Sequence, residues 1–254
     1  MTTDHAAVLS EAKVDDAAVP RLEIGEWAAR YGLVAGITTR MNGFNLGLSS
    51  EEPTRAVSAR WRAFRGAFGT RFPGVVLGFQ CHSTTVRWYD RGFEGWLQVG
   101  EADGHGTDRK GLLLTVTVAD CIPVYLVAPG SGAIALLHAG WRGTADRILA
   151  RGVHALTQHA LVKPGELVMH CGVGICGSCY EVGSEVASRL TVASVPGTTH
   201  VDLRSVLVRQ AAELGIGEVS TSSYCSAHHR ELFFSHRASQ GQDGRMVAFL
   251  GRPR

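Results

Sequence analysis

The stretch Thr117-Val-Ala-Asp-Cys-Ile-Pro-Val-Tyr-Leu-Val-Ala128, followed by Ala133-Ile-Ala-Leu-Leu-His-Ala-Gly-Trp-Arg-Gly143, decides the fold. Its two continuous apolar runs predict two buried neighbouring strands. Cys121 stands where the first strand begins, and His138 stands where the second ends. Because strand ends hold side chains rigidly beside open clefts, this placement predicts a functional site. The alternative is a core cysteine and a histidine that caps a loop.

The composition limits the class of protein. A length of 254 residues fits one large or two small domains, and 45% hydrophobic residues are enough for a sizeable core. The formal net charge of +2 gives no large field of one sign, so we expect neither nucleic acid nor a membrane as a partner. Residues 1–16 lack the segments of a secretory signal. We expect a cytoplasmic protein that is a monomer or a weak homodimer.

The order of elements along the chain predicts an α+β fold. Residues 1–20 are polar, alanine-rich and aperiodic, which is typical of a flexible N-terminal arm. From residue 21 to residue 254, strands and helices intermix without the strict alternation of a doubly wound fold. We therefore expect a single domain over residues 21–254, with mixed, partly antiparallel β-sheets flanked by helices.

Hydrophobic periodicity places the individual elements. The apolar stripe over residues 57–68 predicts an amphipathic helix packed on a sheet, and residues 144–159 predict another helix. The glycine-rich stretch 101–107 is interpreted as a turn, since it lacks the context of a nucleotide-binding loop. Further strands are predicted at residues 34–39, 75–82, 85–89, 112–118, 167–171, 232–237 and 246–250.

The chain has six cysteines, which in a reducing compartment are expected to be buried thiols or metal ligands. Cys171, Cys176 and Cys179, with the distant Cys225, have the spacing of a plant-type iron–sulfur site. The alternative is that residues 169–175 form a strand leading into a glycine turn, where the thiols are simply small side chains.

Three residues with soft ligand atoms stand at predicted strand ends: His82, Cys121 and His138. Two imidazoles and a thiolate are the ligand set of a catalytic zinc site, in which a fourth position stays open. A thiolate beside two histidines is also reactive without a metal, so Cys121 is a candidate nucleophile as well. Asp120 could orient one of the histidines or cap a turn.

Five segments carry a resemblance to a known family: Ala119-Asp-Cys-Ile-Pro123, His138-Ala-Gly-Trp-Arg-Gly143, Cys179-Tyr-Glu-Val-Gly183, Phe233-Phe-Ser-His-Arg237 and Gly244-Arg245. From about residue 21 to residue 252 the chain resembles the YfiH-type family. Its members were long called multicopper polyphenol oxidases or laccase-domain proteins and are now regarded as purine nucleoside phosphorylases. The resemblance implies one catalytic domain over residues 21–254, with some likeness to the cysteine-hydrolase toxin fold.

The resemblance also implies site residues. His82, Cys121 and His138 match the family's metal ligands and are the expected catalytic residues, with zinc as the expected metal and copper as the alternative. Arg40, in the family's Thr-Arg pattern, and Asn45, in its Asn-Leu-Gly segment, are expected to bind substrate or phosphate. The loop between Arg40 and Asn45 is shorter than in most members, which bears on the shape of the substrate pocket.

The implied reaction is the phosphorolysis of adenosine, inosine and methylthioadenosine to free base and ribose 1-phosphate, together with the deamination of adenosine. A nucleoside and phosphate would then be the small-molecule partners. Phosphorolysis needs a dianion held in line with C1′, and Arg40 and Arg142 are the forked side chains available. Structural salt bridges are the other interpretation of both arginines.

Three other functions stay open at this stage. The family's older name indicates a copper-dependent polyphenol oxidase, although the sequence has no His-x-His pair of the kind that multicopper sites use. A hydrolase acting on misincorporated cell-wall precursors lies within the same resemblance. The cysteine spacing leaves an iron–sulfur or redox-sensing module as the third.

Overall fold

A computed structural model of the chain describes residues 6–14, 18–48, 52–191 and 197–254. Its helices are α1 (Gly25–Tyr31), α2 (Thr54–Phe68), α3 (Trp141–Ala145), α4 (Ile148–Ala160), α5 (Ser184–Leu190) and α6 (Leu203–Leu214). Its strands are β1 (Ala7–Val8), β2 (Ala12–Lys13), β3 (Arg21–Glu23), β4 (Val34–Thr38), β5 (Gly74–Phe79), β6 (Val86–Tyr89), β7 (Gly95–Glu101), β8 (Gly104–Thr107), β9 (Leu112–Val118), β10 (Ile122–Ala128), β11 (Ala133–Ala139), β12 (Val168–Cys171), β13 (Glu181–Gly183), β14 (Thr198–His200), β15 (Glu218–Thr221) and β16 (Met246–Gly251). Short 3₁₀ helices lie at Met41–Gly43, Pro164–Glu166 and Gly177–Cys179.

Two large sheets organise the described residues. The first has the strand order β1-β15-β12-β10-β11-β8-β6, and the second has the order β2-β3-β4-β16-β9-β5-β7. Both are mixed. In the first, β12 is antiparallel to β10 and parallel to β15; in the second, β9 is parallel to β5 and antiparallel to β16. The predicted α+β fold, with mixed and partly antiparallel sheets, is confirmed.

The two central strands of the first sheet are the ones that the decisive stretch predicts. In their antiparallel register Ile122 pairs with Ala139 and Pro123 pairs with His138. Cys121, just before Ile122, therefore lies at the same end of the sheet as His138. A strand covered on both faces has no place for polar side chains, which is why both runs are continuously apolar.

Alternation along these strands separates the core into layers. Ile122, Val124 and Leu126 pack with α4 and α6 on one face, while Tyr125 and Val127 face the second sheet. The second sheet packs its far face on α2, through the predicted stripe that ends at Phe68. The layers therefore run helices, first sheet, second sheet, helix, with an apolar core in each of the three gaps.

Two predicted elements are wrong. The stretch 101–107 is not a turn, because it holds the end of β7 and the buried strand β8. A Cβ at Gly104 would lie 2.7 Å from Leu137 Cδ2. A glycine at this position therefore allows β8 and the neighbouring β11 to pack closely. Residues 232–237 do not form a strand. The backbone N–H of Phe234 donates a hydrogen bond to Met246 Sδ, and that of Ser235 donates one to Asp243 Oδ2. Neither N–H group is therefore available to pair with a neighbouring strand.

Two further segments differ from expectation. The predicted helix over residues 144–159 is divided into α3 and α4, because Arg147 between them has a left-handed φ of 63°. Residues 6–14, part of the expected flexible arm, contribute the edge strands β1 and β2, one to each sheet. Between them Glu11 is buried and accepts a hydrogen bond from Ser222 Oγ at 2.6 Å. The described helices include none with the length and apolar character needed to cross a bilayer.

A side-chain hydrogen bond joins the two sheets and offers a test of their packing. Tyr125 Oη donates to the carbonyl of Gly36, on β4, at 2.8 Å. We expect Tyr125→Phe to lower the free energy of unfolding by about 1 kcal/mol, because a buried acceptor loses its partner. Urea denaturation followed by circular dichroism measures the change.

The matched control for this test is Tyr31→Phe, since the Tyr31 hydroxyl has no hydrogen-bond partner among the described residues. Its free energy of unfolding should stay the same or rise slightly. Equal losses in the two variants would show that the bond between the sheets contributes nothing specific.

Candidate functional site

His82, Cys121 and His138 converge where the two sheets meet. His82 follows β5 of the second sheet, whereas Cys121 precedes β10 and His138 lies within β11 of the first sheet. Their ligand atoms all lie within 4.8 Å of one another, and His82 Nε2 is 3.9 Å from Cys121 Sγ. The structure thus brings together three residues that stand far apart in the sequence.

Asp103 holds both histidines in place. Its side chain is fully buried, and its Oδ1 accepts hydrogen bonds from His138 Nδ1 at 2.8 Å and from the backbone N–H of His82 at 3.1 Å. Its Oδ2 accepts from the backbone N–H of Ser83 at 2.7 Å and from that of Cys81 at 3.2 Å. Since Nδ1 of His138 is used in this bond, its Nε2 is the atom left to bind a ligand.

These bonds also set the charge of Asp103 and the backbone of His82. Burial by itself would raise the pKa of Asp103, but the bond and charge of His138 and the bonds from Ser83 lower it to about 2. The carboxylate is therefore ionised at neutral pH. His82 has a left-handed φ of 61°, an uncommon conformation for a residue other than glycine, and its N–H bond to Asp103 helps to hold it there.

Cys121 and His138 polarise each other. Burial opposes a thiolate at Cys121, but the charge of His138 and hydrogen bonds from His138 and His82 outweigh it and lower the pKa of the thiol. In the same way, the charge of Cys121 and the bond to Asp103 raise the pKa of His138 against the effect of burial. A thiolate, which is the form that binds metals and attacks electrophiles, is thus favoured.

Gly140 makes room for this arrangement. Its backbone is ordinary, with a φ of −79°, but an added Cβ would lie 2.9 Å from His82 Cδ2 and 3.0 Å from Cys121 Sγ. The close approach to the two side chains, and not a special backbone conformation, therefore requires a glycine here.

The predicted phosphate-binding residues have different surroundings. Arg142 is exposed on α3, directly after the segment that carries His138, and its guanidinium lies 4.2 Å from the ring centroid of Trp141. Arg40 is partly exposed, lies 4.8 Å from the ring centroid of Phe234 and makes a long 3.5 Å contact with Asp243. Each guanidinium group therefore lies close to an aromatic ring, an arrangement that arginine side chains favour.

Asn45 is placed differently, because its side chain is committed to the protein. It is only 3% exposed, its Oδ1 accepts from the backbone N–H of Gly47 at 2.8 Å and of Arg245 at 2.9 Å, and its Nδ2 donates to Glu52 at 2.7 Å. Its observed role is to fasten the loop after Arg40 to the start of β16.

Asp120 does not orient a histidine. Its carboxylate accepts from Ser226 Oγ and from the backbone N–H of Arg237, each at 2.6 Å, and its φ of 85° is left-handed. Asp120 directly precedes Cys121 in the chain. Its hydrogen bonds therefore fix this part of the chain to the segments around Ser226 and Arg237. The orienting carboxylate is Asp103, which the sequence analysis missed because the stretch around it was interpreted as a turn.

Tyr180 and Arg237 were also missed, although both stand in segments that carry the family resemblance. The guanidinium of Arg237 lies 5.0 Å from the ring centroid of Tyr180. Burial, and then the charge of Cys121, raise the pKa of Tyr180 to about 12, while Arg237 and Arg142 oppose the rise. The hydroxyl of Tyr180 is thus protonated at neutral pH.

Comparisons with known proteins identify the family of the chain. Residues 30–253 match the sequence profile of a family described as multi-copper polyphenol oxidoreductase laccase. The chain belongs to this family. Purine nucleoside phosphorylase YlmD of Geobacillus stearothermophilus is 32% identical over 251 residues, which cover 87% of this chain and 90% of the relative. A purine nucleoside phosphorylase of Corynebacterium glutamicum is 31% identical over 219 residues, which cover 83% of this chain and 87% of the relative.

Solved structures from the laccase family share the whole fold. The crystal structure of YlmD from Geobacillus stearothermophilus superimposes with a TM-score of 0.86 at 29% identity, and the match covers 96% of this chain and 100% of the other. The crystal structure of the YfiH protein of Bacillus licheniformis superimposes with a TM-score of 0.82 at 28% identity, covering 94% of this chain and 98% of the other.

The residues of this laccase-family site fit a divalent transition metal. A tetrahedral zinc ion with one sulfur and two nitrogen ligands requires ligand atoms about 3.5 Å apart, and His82 Nε2 lies 3.9 Å from Cys121 Sγ. The second nitrogen of His138 is held by Asp103, as is usual for histidine ligands. His82 is exposed and Cys121 is half-buried, which leaves a side of the site open for substrate.

The position of Gly140 predicts a specific loss in this family member. We expect Gly140→Ala to weaken the binding of a divalent metal, with zinc as the probe, at least ~10-fold, the scale on which disturbing ligand support acts. The added methyl must push His82 and Cys121 apart. Zinc affinity is measured by competition with a chromogenic chelator.

The matched control is Gly183→Ala, since Gly183 also precedes a helix with a similar φ of −72° but has open space around its Cβ position. Its zinc affinity should equal that of the wild type. Equal affinities in all three proteins would show that the ligands tolerate the methyl group and that Gly140 is not needed at the site.

Proposed function

We propose that the protein is a metal-dependent purine nucleoside phosphorylase, with zinc as its metal and copper as the alternative. The observation that carries the proposal is the convergence of His82, Cys121 and His138, with His138 oriented by Asp103. The exposed Arg142 lies on α3, in the segment directly after β11. The names of the relatives support the same activity. Adenosine, inosine and methylthioadenosine are the proposed substrates, and adenosine would also be deaminated to inosine.

The three ligands would hold the ion from both sheets. Bound there, it would supply Lewis acidity and would lower the pKa of a water. Asp103 keeps Nε2 of His138 directed at the ion, and the lowered pKa of Cys121 keeps its thiolate available. Because Cys121 is a ligand in this arrangement, we propose no covalent step through its sulfur.

Phosphorolysis also needs a site for phosphate. In the reaction an oxygen of phosphate forms a bond to C1′ of the ribose while the bond from C1′ to the purine nitrogen breaks. The electron pair leaves with the purine, which takes up a proton. We assign phosphate binding to Arg142 and Arg40, whose forks match the geometry of a phosphate. We also propose that the protonated hydroxyl of Tyr180 donates a hydrogen bond to the nucleoside.

The donor set argues against multicopper oxidation of phenols. The metal-capable groups among the described residues are two separate clusters, and together they contain three histidines, His82, His138 and His228. A multicopper array draws on many more imidazoles than this, held close together. We therefore expect no oxidation of phenols, and its observation would contradict the proposal.

The proposed reaction predicts how nucleosides are consumed. Adenosine, inosine and methylthioadenosine should each yield free base and ribose 1-phosphate, and only when phosphate is present. Cys121→Ala should lose one zinc ion per chain and its turnover together, because two histidines alone hold zinc poorly. Chromatography of bases and sugar phosphates, with elemental analysis of the same samples, measures both.

Three results of that experiment would contradict the proposal. One is release of base without phosphate, which would indicate a hydrolase. Another is oxidation of phenols while every nucleoside stays intact. The third is full turnover in a Cys121→Ala protein that has lost its zinc.

The phosphate assignment predicts that charge alone is insufficient. Arg142→Lys and Arg40→Lys keep the positive charge but lose the fork, which should cost about 2 kcal/mol, or roughly 30-fold in kcat/KM for phosphate. Deamination of adenosine uses no phosphate and should fall far less. Steady-state kinetics at varied phosphate concentration checks both variants.

Arg189→Lys is the control, because Arg189 also faces the ring of Trp141 but hydrogen-bonds to Asp146. It should keep the wild-type kcat/KM for phosphate. If phosphorolysis and deamination fall equally in an Arg→Lys variant, that arginine contacts the nucleoside or supports the pocket, and it does not bind phosphate.

A further inference from the structure

A second group of metal-binding side chains lies outside the site described above. It consists of Cys176, Cys179, Cys225 and His228, whose ligand atoms all lie within 4.8 Å of one another. His228 Nε2 is 3.1 Å from Cys179 Sγ, and His228 Nδ1 is 3.7 Å from Cys176 Sγ. The sequence pattern is Cys-x2-Cys followed at a distance by Cys-x2-His, which supplies the Cys3His ligand set of structural zinc sites.

The backbone around these residues is shaped for a bound ion. Cys176 directly precedes the 3₁₀ turn Gly177–Cys179, and Cys179 is its last residue. Both thiols therefore belong to one tight loop. The backbone N–H of Cys176 donates to Cys225 Sγ at 3.3 Å. Gly174 and Cys225 form a β-bridge that holds the two loops together.

We propose that Cys176, Cys179, Cys225 and His228 bind a second, structural zinc ion. Three thiolates and one imidazole complete a tetrahedral set, so no position stays open for substrate. A cubane or two-iron cluster is disfavoured, because a histidine takes part in the group and Cys171, the first cysteine of the iron–sulfur spacing, lies in the core instead. Cys171 is 0% exposed on β12, and burial raises the pKa of its thiol to about 12.

An ion at this second site would stabilise a wall of the first. Cys179 immediately precedes Tyr180, and Cys225 immediately precedes Ser226, whose Oγ donates to Asp120 next to Cys121. The ion would join the loop after β12 to the loop after β15. It would thereby fix the positions of Tyr180 and Ser226. The proposal depends only on these ligands and stands whether or not the protein is a phosphorylase.

The fold around the second site does not depend on the ion alone. Arg204 donates from Nη1 to the carbonyl of Ser222 at 3.0 Å and from Nη2 to the carbonyl of Gly174 at 2.9 Å, so it holds the bases of both loops. His228 itself is exposed. We therefore expect variants at His228 to fold and to report on metal binding alone.

Elemental analysis of the full-length protein tests the proposal. The wild type should contain two zinc ions per chain, one for each donor cluster, and Cys121→Ala and Cys225→Ser should each contain one. His228→Ala should bind its second ion at least ~10-fold more weakly, since it removes a direct ligand. His154→Ala, an exposed histidine on α4, is the control and should match the wild type.

Replacing zinc by cobalt gives a second measurement. It can be made on the wild type, so it does not require substitutions at the second site that disturb folding. The thiolate-to-cobalt charge-transfer absorbance should be much stronger than one thiolate provides, and most of it should persist in Cys121→Ala. A single zinc ion per chain that is lost entirely in Cys121→Ala would overturn the proposal. So would unchanged zinc affinity in His228→Ala, or a Cys176–Cys179 disulfide in protein purified without oxygen.

Discussion

The carboxylate of Asp103 is the interaction on which the site depends. A buried charge of this kind is costly unless every lone pair is used. Here the imidazole of His138 and the backbone N–H groups of residues 81–83 supply the compensating bonds. Asp103 lies between β7 of the second sheet and β8 of the first, where the chain crosses from one to the other. One carboxylate therefore aligns residues that belong to two different layers.

The layered architecture explains why the ligands meet at one edge. Every residue of the central strands β10 and β11 is buried, and apolar side chains fill almost all of these positions. The two ligands of the first sheet stand at or near the ends of these two strands. Cys121, at the start of β10, and His138, near the end of its antiparallel neighbour, come together because antiparallel pairing places a start beside an end.

The sequence predicted the parts of this site that have a local signature. The central strands are long apolar runs, and Cys121 and His138 interrupt them, so both position and chemistry could be inferred. Asp103 could not, because its neighbouring glycines look like a turn, and their role in close packing is visible only in three dimensions. Residues 232–237 were misassigned since their apolar side chains reach the core from a coil. The iron–sulfur spacing counted cysteines alone, whereas the fourth member of the group is His228 and Cys171 lies elsewhere.

The crossing at Asp103 has a thermodynamic consequence. Because the three ligands come from both sheets, any ion they hold belongs to neither sheet alone. Its binding energy is available only when the layers are in register, so affinity for the ion and cohesion of the two sheets are linked quantities. A change in the apolar gap between the sheets, far from any ligand, would then alter metal affinity, and free metal in the surroundings would set how firmly the layers stay together.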